Sequence, residues 1–158
     1  MRIFTNIFIS LFFSGYFKKG PGTFASLLSI LIIFPIIIFK IISLKLLVII
    51  FIFIFILSIF LINYYSNYTK THDSKVIVID EFLGIYLILL FYYFIFIVNN
   101  FISLFLIFLF FRIFDIVKIF PANIIDKKMN NSFGVLLDDL VASIYTIIIL
   151  YGISLFIT

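Results

Sequence analysis

Four short stretches carry nearly all the residues that could do chemistry. Asp73, Asp80 and Glu81 lie in THDSKVIVIDEFLG (71–84), Asp115 and Asp126 in FRIFDIVKIFPANIIDKK (111–128), and Asp138-Asp139 in SFGVLLDDLVAS (132–143). Carboxylates opening a helix complement its macrodipole. The adjacent pair Asp80-Glu81 beside a long apolar run is more than a cap needs. Asp138-Asp139 has apolar neighbours on both sides, and a buried carboxylate is costly unless cations or donors compensate it. Clustered all-oxygen ligands suit a hard divalent cation, Mg²⁺ or Mn²⁺, and argue against zinc. Arg112, Asp115 and Lys118 are spaced i, i+3, i+6, which puts them along one helix face. They read as an ion-pair ladder or as partners for an anionic oxygen group. The fourth stretch is SGYFKKGPGT (14–23). Gly20, Pro21 and Gly22 predict a turn, and Thr23 is expected to cap the following helix. Such a turn offers free N–H groups to a phosphate, although spacing alone favours a plain helix start with flanking lysines. Together these residues imply metal-assisted phosphoryl transfer or phosphate-ester hydrolysis.

Other phosphatase chemistries lack their residues. The chain has no cysteine, so it has neither a thiol nucleophile nor a thiolate metal site. His72 is the only histidine. No Asp-x-Asp nucleophile pair occurs.

The elements that must position these residues are membrane helices. Of the 158 residues, 66% are hydrophobic and only 11% charged, and the mean hydropathy is +1.41. That is too little polar surface to face water. The length fits one domain, residues 1–158. A net charge of +4, scattered along the chain, suits anionic lipid headgroups and excludes a nucleic-acid platform. Apolar runs predict spans over 24–39, 46–62, 82–98, 101–117 and 135–157. The charge-free stretch 82–111 is too long for one crossing and is divided at the turn-forming Asn99-Asn100. Residues 3–13 are too short to cross and are expected to be interfacial or packed on the bundle. With no cleavage site before Lys18-Lys19, this segment reads as retained. The runs lack polar alternation, which excludes a β-barrel. The predicted fold is all-α: a compact bundle of about five membrane helices plus a short N-terminal helix.

This threading places Lys18, Lys19, Lys70, Lys75, Arg112, Lys118, Lys127 and Lys128 on one side, against Lys40 and Lys45 on the other. The positive-inside rule makes the first side cytoplasmic. All seven acids fall on it as well.

The segments GPGTFASL (20–27), HDSKVIVIDEFLG (72–84), FRIFDIVK (111–118) and FGVLLDDLVAS (133–143) resemble, in order, the signature regions of the phosphatidylglycerophosphatase A family. The matching positions are Pro21, Gly22, Thr23, Asp73, Asp80, Glu81, Gly84, Arg112, Asp115, Lys118, Asp126, Gly134, Asp138, Asp139 and Ala142. The chain departs from the family pattern at Ile119, Asn131-Ser132 and Ser143, and every acidic position is kept. The resemblance implies a Mg²⁺-dependent enzyme of the bacterial inner membrane. It would remove the terminal phosphate of phosphatidylglycerophosphate on the cytoplasmic side, with the bilayer and its lipid substrate as partners and no obligate protein partner. Asp73, Asp80, Glu81, Asp138 and Asp139 are then the expected metal ligands. Asp115 is a further ligand or base, and Arg112, Lys118, Thr23 and Gly22 are expected to bind phosphate. Two rivals remain at this level. A CDP-alcohol phosphatidyltransferase would carry a longer aspartate signature, which is absent. A small transporter or cation-binding membrane protein would carry polar features on both faces.

Overall fold

The computed structural model describes residues 1–71, 74–97, 99–129 and 131–157. Its regular structure is helical throughout. The elements are α1 (Arg2–Ile9), a 3₁₀ turn (Ser14–Tyr16), α2 (Pro21–Ile38), α3 (Leu44–Thr69), α4 (Ile79–Leu90), α5 (Tyr92–Ile95), α6 (Asn100–Val117), α7 (Ala122–Lys128) and α8 (Ser132–Ile157). Helices α2, α3, α6 and α8 are each long and apolar enough to cross a membrane. Large side chains such as Ile49, Phe53 and Phe60 of α3 and Phe101 and Phe105 of α6 point outward. An apolar exterior of this extent belongs in lipid.

The expected span 82–98 takes a different form. It starts at Ile79 and breaks after Leu90. At 1.5 Å per residue its 12 residues cover about 18 Å, short of a hydrocarbon core. The reason is its position at the centre of the bundle. α4 packs against α8, α2, α3 and α6, and Leu83, Ile85, Ile88 and Leu89 are fully buried. It meets protein where the other helices meet lipid, so it need not match the bilayer thickness. The chain continues through the short α5 and then leaves helix, where side chains supply hydrogen bonds. Ile97 N–H donates to Ser103 Oγ at 3.0 Å, and Ser154 Oγ donates to the Phe94 carbonyl at 3.1 Å. Irregular backbone at membrane depth is tolerated where protein supplies such partners. Asn99 then caps α6, its Oδ1 accepting from Ile102 N–H at 2.9 Å, so the division expected at Asn99-Asn100 holds.

α3 runs about two turns past its apolar stretch, to Thr69. The extension carries Tyr65 and Tyr68, which bond Ser74 and Asn6. α1 packs on this end of α3. Buried hydroxyls within the spans return hydrogen bonds to their own helix, as Ser26 does to the Gly22 carbonyl and Ser143 to the Asp139 carbonyl. Gly84 lets α4 pack closely on α6 and α8. A Cβ there would sit 2.6 Å from the Phe111 ring of α6 and 2.9 Å from Ser143 Oγ of α8.

Candidate active site

At one end of the bundle the start of α2, the start of α4, the end of α6, α7 and the first turns of α8 surround a cavity of about 400 Å³. Among the described residues, six carboxylates line it (Asp80, Glu81, Asp115, Asp126, Asp138 and Asp139), against three cations, Lys75, Arg112 and Lys118. Six of the seven acids expected on one side therefore converge in space.

Asp80, Glu81 and Asp139 form the tightest group, each offering an oxygen within 4.8 Å of the other two. Asp80 Oδ1 accepts from Glu81 N–H at 3.1 Å, which fixes the start of α4. Glu81 Oε2 and Asp139 Oδ2 are buried and have no hydrogen-bond partner among the described residues. Buried carboxylate oxygens of this kind call for a cation. The donor set is hard and purely oxygen, so it fits Mg²⁺ on chemistry as well as on charge.

Asp138 is turned elsewhere. Neighbouring residues on a helix diverge by about 100°, and here Asp138 is drawn to Lys118 while Asp139 meets Asp80 and Glu81. Asp138 Oδ2 accepts from Lys118 Nζ at 2.7 Å, and Asp126 Oδ1 accepts from the same amine at 2.5 Å. Of the five expected metal ligands the structure thus gathers Asp80, Glu81 and Asp139, and gives Asp138 to Lys118. Asp73, with His72, lies outside the described residues.

Arg112 Nη1 is 2.6 Å from Asp115 Oδ2 and 3.9 Å from Glu81 Oε1. It thereby links α6 to α4. Lys118 departs from the single helix face expected for it. α6 ends at Val117, and Lys118 is its C-cap in the left-handed region at φ 47°. This turn swings the amine toward α7 and α8. Burial alone would lower the Lys118 pKa, but its bonds to Asp126 and Asp138 outweigh burial and hold it above the ordinary lysine range. The amine stays charged at neutral pH.

On α2 the expected cap is corrected. Gly20, at φ 62°, is the N-cap, and Pro21 opens the helix, its fixed φ suiting the first position. Thr23 falls inside the first turn, and the cavity wall here is Gly20, Pro21 and Gly22. A Cβ on Gly22 would overlap Glu81 Oε1 and lie 3.2 Å from Arg112 Nη1. Only glycine lets α2 approach the carboxylates this closely.

Some wall residues had no role assigned from sequence. Ser74 and Lys75 precede α4, and Met129 follows α7. Asp126 matched a signature position, yet nothing in its spacing tied it to Lys118. The link passes through the turn at Pro121 and has no helical period.

The chain matches the family model for phosphatidylglycerophosphatase A over residues 7–154. It is 34% identical over 83 residues to a protein named phosphatidylglycerophosphatase A from Haemophilus influenzae, a match covering 52% of this chain and 48% of that one. The match thus spans about half the length of this curated relative. No solved structure matches. With the four motifs now brought to one cavity and the family model covering nearly the whole sequence, the chain belongs to the phosphatidylglycerophosphatase A family.

Proposed function

We propose that the protein hydrolyses the terminal phosphate monoester of phosphatidylglycerophosphate, giving phosphatidylglycerol and inorganic phosphate. The observation that carries this reading is the grouping of Asp80, Glu81 and Asp139 within 4.8 Å of one another, in the cavity that Arg112 and Lys118 line. Six carboxylates against three cations would repel a phosphate, so the site needs a further positive charge. Asp80, Glu81 and Asp139 are the residues that would hold Mg²⁺. When bound, the ion supplies charge neutralisation at the phosphoryl oxygens.

The chain's own groups divide the remaining work. Arg112 presents a planar charged donor set to the phosphate. Lys118, kept protonated by Asp126 and Asp138, adds a second cation. Asp115, oriented by Arg112, takes the proton of the attacking water. Water oxygen bonds to phosphorus as the bond to the glycerol oxygen breaks, and that oxygen leaves with a proton as the alcohol. The dry layer of Leu83, Ile85, Ile88 and Ile107 beneath the site favours chemistry at one face over passage through the bundle. The excess of lysine and arginine at the site end supports a cytoplasmic orientation in a bacterial inner membrane.

The test is phosphate release from phosphatidylglycerophosphate in mixed micelles by the purified protein, with and without Mg²⁺. Release that requires Mg²⁺ and is lost in Asp80→Asn/Asp139→Asn supports the reading. Release that survives chelation or the double substitution removes the metal-carboxylate mechanism.

A further inference from the structure

A second concavity, of about 260 Å³, lies across the first turn of α4 from the acidic cavity. Its walls include Phe8 and Leu11 of the N-terminal segment, Ile32 of α2, Ile54 of α3, and Ile79 and Phe82 of α4. A trapped water needs two or more polar partners, and these side chains offer none. The lining suits an alkyl chain.

Two features tie this groove to the site. The first turn of α4 is a wall of both: Asp80 and Glu81 line the acidic cavity, while Ile79 and Phe82, which bracket them in sequence, line the groove. The groove also runs downward. Ile32 lies about 16 Å along α2 from Pro21 of the acidic cavity, at 1.5 Å per residue. That is the path an acyl chain takes from its headgroup toward the bilayer centre.

The outer wall is α1, and it is held in place. Tyr68 OH donates to Asn6 Oδ1 at 2.5 Å, the Arg2 guanidinium lies 5.3 Å from the Tyr68 ring, and Val78 N–H donates to the Ile9 carbonyl at 2.9 Å. The groove's rim residues Phe4, on α1, and Phe12, just beyond it, remain exposed. A short apolar helix fastened at the level of the site is placed to lie at the membrane interface.

We propose that this groove seats one acyl chain of the phospholipid whose phosphate enters the acidic cavity, with α1 as its outer wall. The inference rests on the lipid-phosphatase reading and extends it to how the lipid is held. Lipid tails are as apolar as the groove, so seating a chain from the bilayer gains little hydrophobic free energy. Its effect is orientation: a chain fixed beside Ile79 and Phe82 sets the ester against the carboxylates of the same helical turn.

The test uses the full chain in phosphatidylcholine vesicles, with phosphatidic acid bearing a photoreactive diazirine midway along one acyl chain. Labelling of α1 and of α2 around Ile32 is expected to exceed that of the outward face of α6 at Phe101 and Phe105 severalfold. It should fall when the same chain is carried on phosphatidylcholine. Labelling equal over these faces, or indifferent to headgroup, overturns the proposal. In parallel, Ile32→Trp should lower the ratio of kcat/KM for phosphatidylglycerophosphate to that for a soluble phosphate monoester about tenfold, and an unchanged ratio also overturns it. If Ile32→Trp does not fold, the labelling of the unaltered protein decides alone. Selective labelling without phosphate release from any lipid would instead retain the groove and reject the phosphatase reading.

Discussion

Lys118 Nζ lies 2.7 Å from Asp138 Oδ2, joining the end of α6 to α8 in the wall of the cavity. The lysine adopts left-handed backbone to make this contact, a conformation that is unfavourable for a residue with a Cβ. Two charge-assisted bonds, to Asp138 and Asp126, offset that cost. Lys118→Met would leave Asp138 buried without its cation. It is expected to destabilise the protein by about 1–3 kcal/mol and to cut phosphate release. Adding Asp138→Asn should restore much of the stability but not the activity. Thermal unfolding in detergent, alongside turnover, separates the two effects. Because the folded Lys118 pKa is raised, its stabilising contribution is fully present below the ordinary lysine range. It is lost only as pH rises through the folded value, so stability traceable to this pair should be flat between about pH 6 and 9.

Gly22 makes a second, steric prediction. Gly22→Ala places a methyl group against Glu81 Oε1 and near Arg112 Nη1. The α2 start is held by Pro21 and by the protein beneath it, so the side chains of Glu81 and Arg112 must give way. Activity is expected to fall roughly 10- to 100-fold, since a displacement of about 1 Å in a positioned group costs this much. Helix content by circular dichroism should be unchanged. Full activity in Gly22→Ala would show that this close approach does not matter to the reaction.

The broad fold and the acidic side of the site were legible in the sequence because membrane spans declare themselves by length and apolarity. The alternation of spans then forces every motif onto one end. α6 and its Asn99 cap follow from an uninterrupted apolar run and a turn pair. Two things were not legible. The shortness of α4 depends on its being enclosed by α2, α6 and α8, which hydropathy does not register, since core and lipid are equally apolar. The division of labour between Asp138 and Asp139 depends on which helix lies opposite each, and adjacency in sequence suggests a shared role. Lys118 left its expected helix face for a similar reason. Its partners Asp126 and Asp138 reach it from two other elements.

That division yields a kinetic prediction. If Asp80, Glu81 and Asp139 hold the ion, Asp80→Asn and Asp139→Asn should each raise the Mg²⁺ concentration needed for half-maximal activity by more than the 10- to 100-fold typical of outer-shell partners. Asp138→Asn should leave that concentration nearly unchanged and lower turnover through Lys118. Titrating Mg²⁺ against phosphate release for the three variants distinguishes the roles. An equal shift in Asp138→Asn would place Asp138 among the ligands.

The orientation can be tested without disturbing the site, because the chain contains no cysteine. Single cysteines introduced at Lys128, the last residue of α7, and at Ile41, in the turn before α3, lie at opposite ends of the bundle. Both positions are exposed. In intact cells whose outer membrane has been permeabilised, a membrane-impermeant maleimide is expected to label Ile41→Cys and to spare Lys128→Cys until the inner membrane is opened. The lysine and arginine excess at the Lys128 end requires this pattern if the positive-inside rule governs insertion. The opposite pattern would put the carboxylate cavity outside the cytoplasm, and the lipid phosphate would then have to reach it from the outer leaflet.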